Sequence, residues 1–181
     1  MVVYLHYAHA IGMERLALLL DEVFGLTISE GTISNILARA REPLLTATAA
    51  IEQVVLASPV VCSDETLVRV KGKNWWEWVF VTTIAVPHII KPSRAKAVVA
   101  DLLGEIRRDV PYTNNVSERH LRPSVIFRKV TNGFRCEWGA ETYAAFRSVV
   151  STAKANGASV LETVQFVLSE PQASKALAGV G

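Results

Sequence analysis

Apolar positions recur at helical spacing through the first sixty residues and then give way to a strand-like pattern. From Met13 to Phe24, the side chains of Leu16, Leu19, Leu20 and Val23 share one helical face, and Gly25 follows as a stop. Ser29 is placed to cap a second helix carrying Ile33, Ile36, Leu37 and Ala40, so the segment predicts a helical hairpin of helix-turn-helix type. The spacing between Gly25 and that helix is longer than the compact DNA-reading version tolerates. A third helix is predicted from Pro43 to Leu56, ending before Pro59. Val60 to Cys62 then open a strand, Lys71-Gly72-Lys73-Asn74 supplies a turn, and the aromatic and β-branched run from Trp75 to Thr83 returns as a hairpin. Ile84 to Ile90 reads as a third strand, broken by Pro87 and therefore at an edge. Ser93 caps a periodic helix with Ala95, Val98, Val99, Leu102 and Leu103 on one face and Gly104 at its end. Near the carboxy terminus, Tyr143, Phe146, Val149, Val150 and Ala153 define one amphipathic helix. Ser159 with Glu162 caps another, which bears Leu161, Val164, Val167 and Leu168.

Composition narrows the class. The 181 residues are 50% hydrophobic and 20% charged, which fits a globular chain with a sizeable core and argues against disorder. Cys62 and Cys136 form no CxxC pair, so neither a disulfide framework nor a zinc site is expected. Met1 to His6 lacks the layout of a signal peptide, and no run has the length of a membrane span. The expected location is the cytoplasm. The formal charge of +2 conceals an asymmetry: Met1 to Val60 holds three basic and six acidic residues, a net of −3. Thr66 to Arg135 holds thirteen basic against five acidic, a net of +8. Such an excess suits a phosphate-backbone partner, although a solvated basic face would give the same count.

Two acids stand out. Asp64 ends the apolar start of the first strand, where a solvated carboxylate is the commoner reading. Glu118 follows Asn115 at the spacing of an N-cap and its reciprocal acid, which by itself accounts for both residues. Around Glu118, however, crowd Arg119, Arg122, Arg128, Lys129 and Arg135, and a carboxylate among cations at a helix start suits a metal ion bridged to phosphates. Three strands, the first acidic, followed by a helix, also form the opening of an RNase H-like domain. The next strand of such a domain would bring a second carboxylate to the sheet centre, yet Glu105-Ile106-Arg107-Arg108-Asp109-Val110-Pro111 is a poor buried strand.

Five phrases carry a resemblance: Cys62-Ser63-Asp64-Glu65-Thr66, the run Gly72 to Thr82, the run Lys91 to Val99, the run Asn114 to Pro123, and Arg128 to Arg135. In this order they resemble the transposases of the insertion sequence 66 family, over nearly the whole chain. The resemblance implies an α/β (α+β) fold: a partial RNase H-like core with an amino-terminal helical hairpin and carboxy-terminal helices. It divides the chain into a helical segment at 1–58, the first half of the core at 59–105, a basic segment at 106–140 and a helical element at 141–181. It implies DDE-type cleavage and strand transfer at element ends, with Mg2+ or Mn2+ held by two aspartates and a glutamate. Asp64 matches the first aspartate and Glu118 the final glutamate, both as metal ligands, while Arg119, Arg122, Arg128, Lys129 and Arg135 would contact DNA. The second aspartate has no match, since only six residues separate Gly104 from Pro111. The chain thus resembles an internally deleted, amino-terminally shortened transposase, expected to be inactive. The alternative is a catalytically silent fragment that binds DNA at the terminal inverted repeats, or that associates with full-length transposase or with a second copy of itself.

Overall fold

The computed structural model describes residues 1–95, 98, 100 and 115–170. Three helices come first: α1 (Val2–Ala8), α2 (Met13–Phe24) and α3 (Glu30–Ala57). α2 stops where the sequence puts its stop, because Gly25 adopts a left-handed φ of 63° and returns its N–H to the last carbonyls of the helix. Ser29 caps α3, its hydroxyl accepting from Thr32 N at 3.1 Å.

α3 differs from the expectation of two helices: it runs unbroken through Pro43. A proline inside a helix costs about 3 kcal/mol through a lost hydrogen bond and a ring clash. Against that, Ile33, Leu37, Leu44, Ile51 and Val55 are buried along one face, at roughly 1.5–3 kcal/mol each. Burial outweighs the proline. The partner of that face is α5 (Glu137–Ala155), to which Arg41 is tied by an ion pair with Glu141 at 2.7 Å.

The sheet has three antiparallel strands in the order β1-β2-β3: β1 (Cys62–Val70), β2 (Lys73–Val81) and β3 (His88–Lys91). Lys71 and Gly72 form the two-residue turn with φ of 51° and 73°, the positive pair that matches the twist of a hairpin. β3 is shorter than the run Ile84 to Ile90 suggested and begins only after Pro87, whose carbonyl accepts from Phe80 N. It lies at an edge, as its proline implied.

Both edges of this small sheet are closed by the remaining helices, α4 (Asn115–Thr131) and α5, with α6 (Val160–Ser169) following. On the β3 side, Thr152 and Ser148 stand one turn apart on α5, and their hydroxyls accept from Val86 N at 3.0 Å and His88 N at 2.8 Å. On the β1 side, Arg128 of α4 donates from Nη1 to the carbonyl of Leu67. Further along, Phe134 N donates to Arg69 O at 2.7 Å and Lys71 N to Phe134 O at 2.8 Å. Buried or not, backbone groups at a sheet edge need such partners. No described helix is long and apolar enough to cross a membrane.

The contact between Phe134 and β1 depends on Gly133. Its φ is 95°, and a Cβ there would stand 2.5 Å from Arg69 O. Gly133→Ala should therefore cost roughly 2 kcal/mol or more from backbone strain alone and part the α4–α5 turn from the hairpin. Denaturant melts measure the first effect. Faster amide exchange at Lys71 and Phe134 reports the second, and unchanged exchange would show that the clamp survives.

Candidate catalytic face and nucleic-acid interface

Strand alternation decides which acids share a surface. Asp64 pairs with Val79, and Val79 with His88, so these three side chains project to one face of the sheet. Asp64 is half-buried, and its Oδ1 accepts from Glu65 N at 2.9 Å. Glu65 projects to the opposite face. There its Oε1 accepts from Arg94 Nε at 2.7 Å, and the guanidinium of Arg94 lies 4.7 Å from the ring centroid of Trp76. Neighbours in sequence, Asp64 and Glu65 cannot serve one site.

α4 brings the second acid to the Asp64 side. Glu118 is exposed in its first turn. One turn on, Leu121 is buried in a cluster with Val79, Val81 and Val86, against which Cys62 packs. Val79 is the cross-strand partner of Asp64, so α4 packs through Leu121 over the face that carries Asp64, with Glu118 one turn away along the helix. Of the cations, Arg119, Arg122, Lys129 and Arg135 are exposed. Arg122 and Lys129, seven residues apart, share one side of α4, with Arg119 next to them. Ser117, Leu121 and Ser124 are buried on the other side. Arg128 is half-buried on that inner side and is engaged with β1.

Beside this surface lies a buried polar cluster that the sequence reading passed over. Glu77 and His88 are both fully enclosed. Glu77 Oε1 lies 3.0 Å from His88 Nδ1 and accepts from Ser124 Oγ at 2.7 Å, while Tyr143 donates to Ser124 at 3.1 Å. On the far side of the ring, His88 Nε2 is 3.1 Å from Ser151 Oγ, to which Arg147 Nη2 donates at 3.3 Å. These partners fix the proton of the imidazole. The Glu77 carboxylate can only accept, so Nδ1 carries a hydrogen, and Ser151, accepting from Arg147, is free to give its own hydrogen to Nε2. His88 is thus neutral between a carboxylate and a guanidinium, and burial, with Arg147 nearby, pulls its pKa down despite Glu77. His120 is also lowered, to about 4, by burial first and then by His88, Arg147 and Lys154. The signal for the cluster was present in strand alternation: Glu77 is a charged position in the middle of a β2 face, between Trp75 and the valines Val79 and Val81.

For a two-metal site the described donors fall short. Among the described residues no three His, Cys, Asp or Glu side chains gather as metal ligands would. Asp64 and Glu118 are two carboxylates where a bridging pair of ions needs more, and Glu77 is fully enclosed, its Oε1 held by His88 and Ser124 and its Oε2 buried without a hydrogen-bond partner among the described residues. The stretch Glu105 to Pro111, where the sequence reading sought the missing aspartate, lies outside the described residues. The free cysteines, Cys62 and Cys136, are half-buried and far from forming a pair.

A strand carboxylate, a second acid opening a helix and cations along that helix follow one another in the order seen in transposases of mobile elements. The sequence matches the family described as Transposase IS66 family over residues 1–108 and 106–142, and the chain belongs to it. The two matched stretches overlap at 106–108. Comparison with curated proteins and with solved structures gives no match.

Proposed function

We propose that this transposase-family chain is built on the first part of an RNase H-like core, holds element-end DNA along α4 and does not cut it. The observation that supports the reading is the placement of the acids. Asp64 lies on the face over which α4 packs with Glu118, Glu65 is turned to the other and tied to Arg94, and Glu77 is buried in its own hydrogen bonds. Two carboxylates leave a DDE set incomplete, and losing one member of a cooperating set typically removes several orders of magnitude in rate. DNA holding needs no such set. Arg119, Arg122, Lys129 and Arg135 project into solvent and can meet phosphates, and Arg128 adds its charge from the inner side of α4.

Two measurements test this. With Mn2+ or Mg2+, nicking of element-end duplex is expected to stay at the level of Asp64→Asn. Metal-dependent nicking above that control would show an active transposase. In a salt titration, duplex affinity should fall with a log–log slope at least as steep as about −3 to −4, the share of these four exposed cations alone. Affinity indifferent to salt would remove the DNA-holding role.

A further inference from the structure

The α4–α5 turn and the tip of the β1–β2 hairpin meet in a feature that the carboxylate face does not use. Each contributes two consecutive residues with positive φ: Lys71 and Gly72 in the hairpin, Asn132 and Gly133 in the turn. The hydrogen bonds of Phe134 to Arg69 and Lys71 hold the two turns together. Between them lies a crevice of about 400 Å³, lined by Lys71, Gly72, Thr131, Asn132, Gly133, Phe134 and Arg135. The surroundings are cationic. Arg69, Lys71 and Lys73 lie within five residues of the hairpin, and Lys129 and Arg135 flank the turn, all five exposed. Lys71 pairs with Glu137 at 2.9 Å, and the other four make no ion pair among the described residues. Lys71 apart, these charges have no counter-charge among the described residues and repel one another in the absence of an anion.

We infer that this crevice is a second phosphate-binding end, which grips the backbone of duplex DNA at a distance from Asp64. The ligand chemistry is the phosphodiester oxyanion, recognised by cationic side chains and the Asn132 amide without reading bases. The geometry sets the spacing. Lys71 lies seven residues along an extended strand from Asp64, about 23 Å at ~3.3 Å per residue. α4 runs beside β1 in the same direction, from Leu121 near Cys62 to Thr131 at the crevice. Glu118 to Thr131 spans about 20 Å at ~1.5 Å per residue, which agrees. At ~3.4 Å per step, a duplex laid along α4 would meet the crevice roughly seven base pairs from the phosphate nearest Asp64. The inference rests on the DNA-holding role and adds to it a second contact and a register.

The test compares the full chain, Lys71→Gln/Lys73→Gln and Arg119→Gln/Arg122→Gln, with equal thermal melts showing that each is folded. Hydroxyl-radical protection of an element-end duplex should show two clusters about seven base pairs apart in the parent. The hairpin variant should lose one cluster, bind roughly tenfold more weakly and show a salt slope shallower by about two. The α4 variant should lose the other cluster. If the parent and the α4 variant behave so while the hairpin variant matches the parent, the crevice is not a DNA contact, and the α4 reading survives. If the parent binds no duplex in a salt-dependent way, both readings fall. Should inorganic phosphate protect the parent against unfolding but not the hairpin variant, with duplex binding equal in the two, the crevice is a small-anion site and the backbone assignment is overturned.

Discussion

Glu77→Ala is expected to lower stability by roughly 3–5 kcal/mol, since each buried donor left without its acceptor costs about 1–3 kcal/mol and the cavity adds to that. In a chain of this size that corresponds to a fall in Tm of about 10 °C. The reason is the number of elements that meet at one carboxylate oxygen. Oε1 takes a hydrogen from His88 of β3 and another from Ser124 of α4, while Ser124 also receives Tyr143 of α5. Alanine would strand both donors and leave a cavity in the interior. Glu77→Gln retains an acceptor for both donors and should cost about 1–2 kcal/mol, chiefly through the lost charge. Chemical denaturation of the two variants separates these effects. A loss below 1 kcal/mol for alanine would mean that the cluster is dispensable.

Stability is also expected to fall as pH is lowered from 7.5 to 5.5. His88, His6 and His120 all have pKa values lowered from 6.5 in the folded chain, with burial the largest cause in each case. Below pH 6.5 the unfolded chain takes up protons that the folded one refuses, so their contribution is complete above 6.5 and lost on descending toward the folded values. The groups facing His88 are Glu77 from β2, Arg147 from α5 and His120 from α4. Arg147 opposes a further charge on His88, and burial outweighs the pull of Glu77. For a single fully buried imidazole such as His88 the slope is at most about 1.4 kcal/mol per pH unit. Glu52, whose pKa burial raises from 4.5, acts in the opposite sense toward lower pH, so the comparison stops at 5.5. A flat profile across this range would contradict a neutral His88.

Much of the fold is written in local pattern. The spacing of Leu16, Leu20 and Gly25 gives α2 both its buried side and its end, and Lys71-Gly72 gives the hairpin its turn. The Ser159 cap with Glu162 is found where expected. The continuity of α3 was not legible, because the proline signal at Pro43 is local while its remedy is tertiary: the α5 surface against which Leu44, Ala47 and Ile51 pack. Asp64 and Glu118 could be named as candidates from the phrases around them, yet the packing of α4 over the Asp64 face emerges only when register is known. Opposite orientations for Asp64 and Glu65 follow from alternation alone and were within reach of the sequence. The partners of Glu77 were not, since His88, Ser124 and Tyr143 come from three elements separated by intervals that no motif encodes.

Arg128 has a consequence outside DNA contact. With its Nη1 on the Leu67 carbonyl, and with Phe134 holding Arg69 and Lys71, the outer margin of β1 from Leu67 onward offers a foreign strand no vacant carbonyl from which to begin pairing. A sheet of three strands with a bare margin would ordinarily invite strand swapping between neighbouring copies. Here one guanidinium and one phenylalanine backbone act as a stopper on that stretch, so a strand from another copy could pair with β1 only ahead of Leu67.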